Sequence, residues 1–218
     1  MSIQQATYER RLSALRGHLR AKDFHMALAA LEYARQHHQG TRKDGVSPEF
    51  AHQVDMAFHV IDLPRIIHRE ETIAAIFLHD TIEDYGEHHG KIIEDRFGSL
   101  VHSAVMSVTK KIPVFIDGVK IHVIERDEDV LFAEMAHHVI GSIVKPVDRS
   151  HNQKTMGGVF TQDKQVSYVD FTDARIIPMM HIARHLFPQQ YRAYMLLQDK
   201  LESQAVLVRS WAAMGKAA

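Results

Sequence analysis

The chain has 218 residues, 45% of them hydrophobic and 24% charged, with a formal net charge of −1; this fits one medium domain with a buried core and excludes a global field for collecting nucleic acid or anionic membrane. It has no cysteine, which excludes disulfides, thiolate zinc sites and cysteine nucleophiles and leaves His, Asp and Glu to hold any metal. No apolar run approaches the roughly 18 residues that span a bilayer, and the N-terminal MSIQQATYERRLSALRG has no signal-peptide apolar block, so a cytoplasmic protein away from membranes is expected.

The apolar periodicity is helical nearly throughout. It predicts helices over 7–17 and 23–39, the second with Asp23 as N-cap and Gly40 as stop. A basic turn follows, Arg42-Lys43-Asp44-Gly45. Ser47-Pro48-Glu49 reads as an N-cap with Pro at the first helical position, opening a helix to about Asp62. The next helix, Glu70 to about Asp84, is marked as central and buried by the run Ile73 to Leu78. Two more, 90–97 and 99–110, are separated at Gly98. Asp117-Gly118 among β-branched residues predicts a small β-hairpin near 113–121. Helices resume over 128–140 and 145–156. A loop over 157–166 then precedes helices over 168–187 and 189–211, broken at Pro188. Without a linker, composition shift or repeat, the expectation is one all-α domain over 1–218, with a frayed tail from Gly215. There are 17 His, and the tandem pairs His37-His38, His88-His89 and His137-His138 are expected mostly at or near the surface.

Three features carry chemistry. In Leu78-His79-Asp80-Thr81-Ile82-Glu83-Asp84, an adjacent His-Asp can present two ligands to one metal. Glu83 and Asp84 lie four residues after His79 and Asp80, so they stack one turn on. There they can orient or deprotonate a water. Charges following so apolar a run need a cation or donors, since unpartnered burial costs several kcal/mol each; a structural ion-pair network is the plainer alternative. In the second feature, Lys145, Asp148, Asn152 and Thr155 share one helical stripe. That stripe can hold a metal and bind a phosphorylated ligand, or be a solvated polar face. In the third, His52 can close a metal shell, with Arg42 and Lys43 nearby as phosphate or base contacts.

Taken in order, these elements resemble the hydrolase domain of the RelA/SpoT-homologue family and its single-domain members, the small alarmone hydrolases. The family's Arg-Lys-x-Gly loop stands as Arg42-Lys43-Asp44-Gly45, and its first metal-binding His as His52. The hallmark His-Asp-x-x-Glu-Asp is His79-Asp80-Thr81-Ile82-Glu83-Asp84, followed by Phe97-Gly98 and Val108-Thr109-Lys110. The Lys-Leu-Ala-Asp-Arg-x-His-Asn motif stands as Lys145 to Asn152, with Pro146-Val147 in place of Leu-Ala. Glu49-Phe50-Ala51-His52-Gln53 replaces Tyr-Ile-x-His-Pro, and the 113–121 insert is unusual.

The resemblance implies an HD-domain helical bundle with metal ligands His52, His79, Asp80 and Asp148. It puts Glu83 and Asp84 in the catalytic positions. Arg42 and Lys43 would contact guanine and phosphate, and Asn152 and Thr155 the nucleotide. Ligand type alone leaves Fe, Co and Zn open; the resemblance points to one Mn²⁺ per chain. It also implies guanosine tetra- or pentaphosphate as substrate, cut to GDP or GTP and pyrophosphate, an activity of the stringent response. Other phosphorylated targets stay open: the 2′-phosphate of NADPH, pyrophosphorylated tRNA in an antitoxin role, or another nucleotide. The near-zero net charge weighs against tRNA. A non-enzymatic nucleotide-binding homologue would have lost a ligand or Glu83-Asp84, and all are present. A homo-oligomer is left open.

Overall fold

The computed structural model describes residues 3–116 and 119–215. Helix α1 (Ile3–Ala21) buries Tyr8, Leu12, Leu15 and Leu19, the three-to-four spacing of one helical face. It outruns the predicted 7–17 at both ends. The chain then reverses into α2 (His25–His37). Asp23 does not cap α2. It stands at φ +56 in a left-handed reversal, where the Phe24 N–H reaches the Leu19 carbonyl at 2.9 Å and the Asp23 N–H reaches Arg20 at 3.1 Å. This is the pattern that ends α1. The free N–H groups of Met26 and Ala27 instead donate to the Glu70 carboxylate at 2.7 and 3.2 Å, a cap from far along the chain.

Helix α2 ends before Gly40, so that glycine is not the stop. Its N–H donates to Glu49 Oε2 at 3.0 Å, and a Cβ there would stand 2.8 Å from the same oxygen. Ser47-Pro48 does not open the next helix either. Thr41 pairs with Pro48 in an isolated bridge, and Asp44 Oδ1 accepts from the backbone of Val46 and Ser47 at 2.9 and 2.8 Å. The 41–48 segment is therefore a self-braced loop, and α3 (Ala51–Asp62) begins after it.

The predicted central helix is two. In α4 (Arg69–Leu78) every residue from Thr72 to Leu78 is buried; α5 is Thr81–Tyr85. His79-Asp80 forms the turn between them. Helix α4 packs against α2, α3, α6 (His88–Val108) and α8 (Gly141–Thr155), so the turn at its end sits in the middle of the bundle. Gly98, at φ 85 and ψ 164, breaks α6 where the sequence predicts.

Strands β1 (Lys111–Ile116) and β2 (Val119–Glu125) pair antiparallel, with an irregularity between Val114 and Phe115. The hairpin is longer than predicted, and its Asp117-Gly118 turn lies outside the described residues. Helix α7 (Glu128–His137) has Asp127 as N-cap, accepting from Val130 N at 3.0 Å. Helix α8 starts four residues before the predicted Lys145. His138 Nδ1 accepts from the N–H groups of Ile140 and Gly141 at 3.2 and 3.1 Å, a cap from a residue type that seldom serves as one.

The expected 157–166 loop is shorter, since α9 spans Gln162–Phe171. A π-helical turn (Thr172–Ile176) joins it to α10 (Ile177–Leu186). After a 3₁₀ turn at Pro188–Gln190 comes α11 (Tyr191–Gly215); Lys216 to Ala218 lie outside the described residues. Two members of the His pairs depart from expectation: His38 and His89 are buried, each 3% exposed. The fold is all-α apart from the hairpin, as the sequence implies.

Candidate metal centre

The turn after α4 aims two ligands at one point. His79 is buried, and its Nδ1 lies 2.8 Å from the Ile76 carbonyl, so Nδ1 carries the proton and Nε2 has a free lone pair. That Nε2 has no hydrogen-bond partner, yet it lies 3.0 Å from Asp80 Oδ2. Ligands about 2.1 Å from an ion stand about 3 Å apart when cis and about 4.2 Å when trans. The pair thus has the spacing of two cis ligands.

Two more ligands converge from α3 and α8. His52 Nε2 lies 3.2 Å from Asp148 Oδ1, which is 4.0 Å from His79 Nε2. Ligand atoms of His52, His79 and Asp80 all fall within 4.8 Å of one another. Behind His52 runs a chain of polar contacts. Its Nδ1 meets His151 Nδ1 at 2.8 Å, His151 Nε2 meets Asp55 Oδ2 at 3.4 Å, and Arg11 Nε donates to Asp55 Oδ1 at 2.7 Å. A proton on His52 Nδ1 and another on His151 Nε2 satisfy the whole chain and leave His52 Nε2 bare, which is how outer partners prepare a metal-binding imidazole.

The electrostatics call for a cation here. Burial would depress His79, but the Asp80 and Asp148 carboxylates outweigh it and lift its pKa to about 9. Burial would raise Asp80, yet His79 holds it at about 2. Burial likewise opposes ionisation of Asp148, and Lys145, His52 and His79 keep it well below the usual carboxylate range. Burial pulls His52 down to about 4 despite Asp148, so it is neutral, the form that ligates. A divalent ion would take over the positive charge that a proton on His79 otherwise supplies. The buried Nε2, which an ion would free of that proton, and the hard-oxygen and imidazole donor set both fit such an ion.

A cavity of about 500 Å³ opens beside the centre. Arg42, Lys43, Asp84, Asn152 and Thr155 line it, along with His52 and Asp80. Asn152 donates to Asp148 Oδ1 at 2.5 Å and accepts from Arg42 at 3.5 Å, tying the basic loop to the metal centre. Lys43 stands over the Phe160 ring at 5.6 Å. Burial and the carboxylates of Asp80, Glu49 and Glu83 raise Asp84 to about 7. Four expected site residues do not line the cavity: His79 and Asp148, which lie behind it in the centre itself, and Lys145 and Glu83. Lys145 instead holds Asp148 Oδ2 at 3.2 Å. Glu83 Oε1 accepts the backbone N–H groups of Lys110 and Lys111, anchoring the start of the hairpin.

Sequence reasoning missed His38, Glu49, Asp55 and His151, all in the cavity wall. His151 lies inside the Lys145–Asn152 motif, and its i−3 spacing from Asp148 was the available signal. Nothing local distinguishes Asp55 or His38.

Residues 30–114 match the family described as HD domain, a span that holds His52 and the His79-Asp80 turn. Over this span the chain is similar to the HD domain. The chain is 31% identical to GTP pyrophosphokinase rsh of Brucella melitensis biotype 1 and of Brucella ovis, over 66% of this chain and 18% of each relative. It is also 31% identical to a chloroplastic protein of Oryza sativa subsp. japonica named RSH1, over 64% of this chain and 16% of that protein. The chain thus spans less than a fifth of the length of these relatives. The matches agree with the RelA/SpoT-homologue resemblance of the motifs. No described helix is long and apolar enough to cross a membrane.

Proposed function

We propose that this HD-domain protein is a manganese-dependent hydrolase that removes the 3′-pyrophosphate of (p)ppGpp, leaving GDP or GTP. The observation that carries the proposal is the convergence of His52, His79, Asp80 and Asp148 beside a cavity that Arg42 and Lys43 also line. The names of the Rsh relatives, which concern guanine nucleotide pyrophosphoryl chemistry, support the substrate class.

When bound, a divalent ion at this centre supplies Lewis acidity and a lowered water pKa. The chain's own groups do the rest. Arg42 has a planar fork suited to a phosphate or to stacking on guanine, and Asn152 holds it towards the centre. Lys43 offsets phosphate charge at the mouth. Phe160 and Tyr168 give the cavity flat apolar wall for a base. Thr155, whose hydroxyl donates to the His151 carbonyl at 3.0 Å, keeps acceptor capacity for the nucleotide. Lys145 serves indirectly, by keeping Asp148 ionised. Asp84, poised near neutrality, accepts the proton of the attacking water and returns it to the departing ribose 3′-oxygen as the P–O3′ bond breaks. Glu83 sets the position of α5 and hence of Asp84.

The test is release of pyrophosphate from ppGpp by purified protein with Mn²⁺, beside parallel incubations with NADPH and pyrophosphorylated tRNA. Pyrophosphate from ppGpp, abolished by chelator and by Asp80→Ala, is the expected result. Phosphate from NADPH alone would keep the centre and discard the alarmone substrate.

A further inference from the structure

The cavity wall holds a second set of candidate ligands that the first centre does not use. His38 follows α2, Glu49 precedes α3, and Asp84 lies on α5; one ligand atom from each falls within 4.8 Å of the others. His38 Nδ1 is 3.7 Å from Glu49 Oε1, 4.0 Å from Asp84 Oδ2 and 3.4 Å from the Tyr85 hydroxyl. The imidazole edge therefore faces both carboxylates, too far from either for a direct hydrogen bond. Its separations from them fall between the cis and trans spacings of ligands around a small divalent ion.

Two further observations point to a missing cation. The His38 side chain is only 1% exposed, and the Nδ1 edge turned to the carboxylates has, among the described residues, only the Tyr85 hydroxyl, at 3.4 Å, within reach, an arrangement that burial penalises unless the ring has another use. Among the described residues, no Lys or Arg lies within ion-pair distance of Glu49 or Asp84; His38 is the partner of both. Glu49 is also fixed in place. Its Oε2 accepts the Gly40 N–H at 3.0 Å, a close approach that only the absent Cβ of Gly40 permits, and Oε1 is left towards His38.

We propose that His38, Glu49 and Asp84 form a second divalent-cation site, distinct from the His52–His79–Asp80–Asp148 centre. One imidazole and two carboxylates suit an ion of the Mn²⁺ or Mg²⁺ class. Half of Asp84 is open to the cavity, 48% exposed, so further positions on the ion face the space where a ligand phosphate would lie. The role of the site rests on the hydrolase reading: a cation there would offset charge on the pyrophosphoryl group under attack, and Asp84 while holding it would orient the attacking water rather than take its proton. Its existence does not rest on that reading.

The experiment is a count of bound Mn²⁺ in the metal-stripped protein, by titration calorimetry together with electron paramagnetic resonance of free Mn²⁺. The expected result is two ions per chain. Glu49→Gln and His38→Gln should each weaken one of them at least tenfold and leave the other unchanged, while Asp80→Asn removes the unaffected ion. Circular dichroism checks that each variant is folded. One ion in the wild type, lost in Asp80→Asn and untouched by Glu49→Gln, would overturn the second site and leave the hydrolase reading standing. Two ions that both survive Glu49→Gln and His38→Gln would also overturn it. No bound ion at all would overturn both.

Discussion

A histidine becomes a metal ligand only when its other nitrogen is occupied, and the two histidines of the centre solve this differently. His79 uses a backbone carbonyl of its own helix, Ile76, at 2.8 Å. His52 depends on a side chain ninety-nine residues away, His151, which in turn leans on Asp55 and Arg11. Replacing His151 by Phe keeps the ring's volume but removes the acceptor for His52 Nδ1, so the wrong tautomer becomes accessible. Mn²⁺ affinity should fall by about 10–100-fold, the usual cost of losing an outer partner. Calorimetric titration reads this directly, and an unchanged affinity would show that the chain of contacts is only packing. Asp84 gives a second prediction at this scale. Its folded pKa, about 7, lies above the ordinary carboxylate value of 3.8. The stability it lends is therefore full below the lower value and is lost as pH rises through the higher one. In metal-free protein, Asp84→Asn should raise Tm at pH 8 and raise it less at pH 5; the reverse order would mean that the carboxylate is not crowded by Asp80 and Glu49. The sequence made the candidate ligands legible, because His79-Asp80 is a doublet and Asp148 shares a stripe with Asn152. His38, Glu49 and Asp55 were not legible, because their roles come from neighbours brought together only by the fold.

The elements were legible in their interiors and not at their ends. Apolar spacing located α4, the α6 break at Gly98 and the body of α11, since each is decided by its own residues. The errors cluster where a remote group supplies the cap. Helix α2 begins where Glu70 reaches it, and α8 begins where His138 folds back onto Ile140 and Gly141. Glu70→Ala should cost about 1 kcal/mol, and no more than about 2, by orphaning two N–H groups at the start of α2; urea unfolding measures it. Gly141 shows the same dependence on contact across the bundle. A Cβ at this position would fall on the Ser107 hydroxyl of α6, so Gly141→Ala should destabilise by about 1–3 kcal/mol. Adding Ser107→Ala should return much of that loss. Strictly additive effects in the pair would mean that the glycine serves some purpose other than letting α8 approach α6.

At the scale of the whole molecule, a net charge of −1 conceals a separation of charge. Carboxylates gather around the His79 turn in the middle of the bundle, and Arg42 and Lys43 line the cavity beside them. Without an ion, the fold must hold the inner cluster together with protons, and this fixes how its stability responds to pH. His79 has a folded pKa of about 9, above the ordinary 6.5, so its contribution is complete below 6.5 and disappears as pH climbs through 9. His52 has a folded pKa of about 4, below 6.5, so its contribution is present above 6.5 and is lost as pH falls through 4. Metal-free protein should therefore lose stability on both sides of about pH 6.5. Mn²⁺ needs both rings unprotonated at Nε2, so it replaces the proton on His79 and should flatten the alkaline side. An ion at a hundred times its Kd adds about 2.7 kcal/mol, which for a chain of this size raises Tm by about 5–10 °C. Thermal melts of stripped and Mn²⁺-loaded protein between pH 5 and 9 should thus diverge as pH rises and converge as it falls. A constant gap across that range would mean that the ion does not bind between His79 and Asp148, because there it competes with a proton whose affinity the fold has raised.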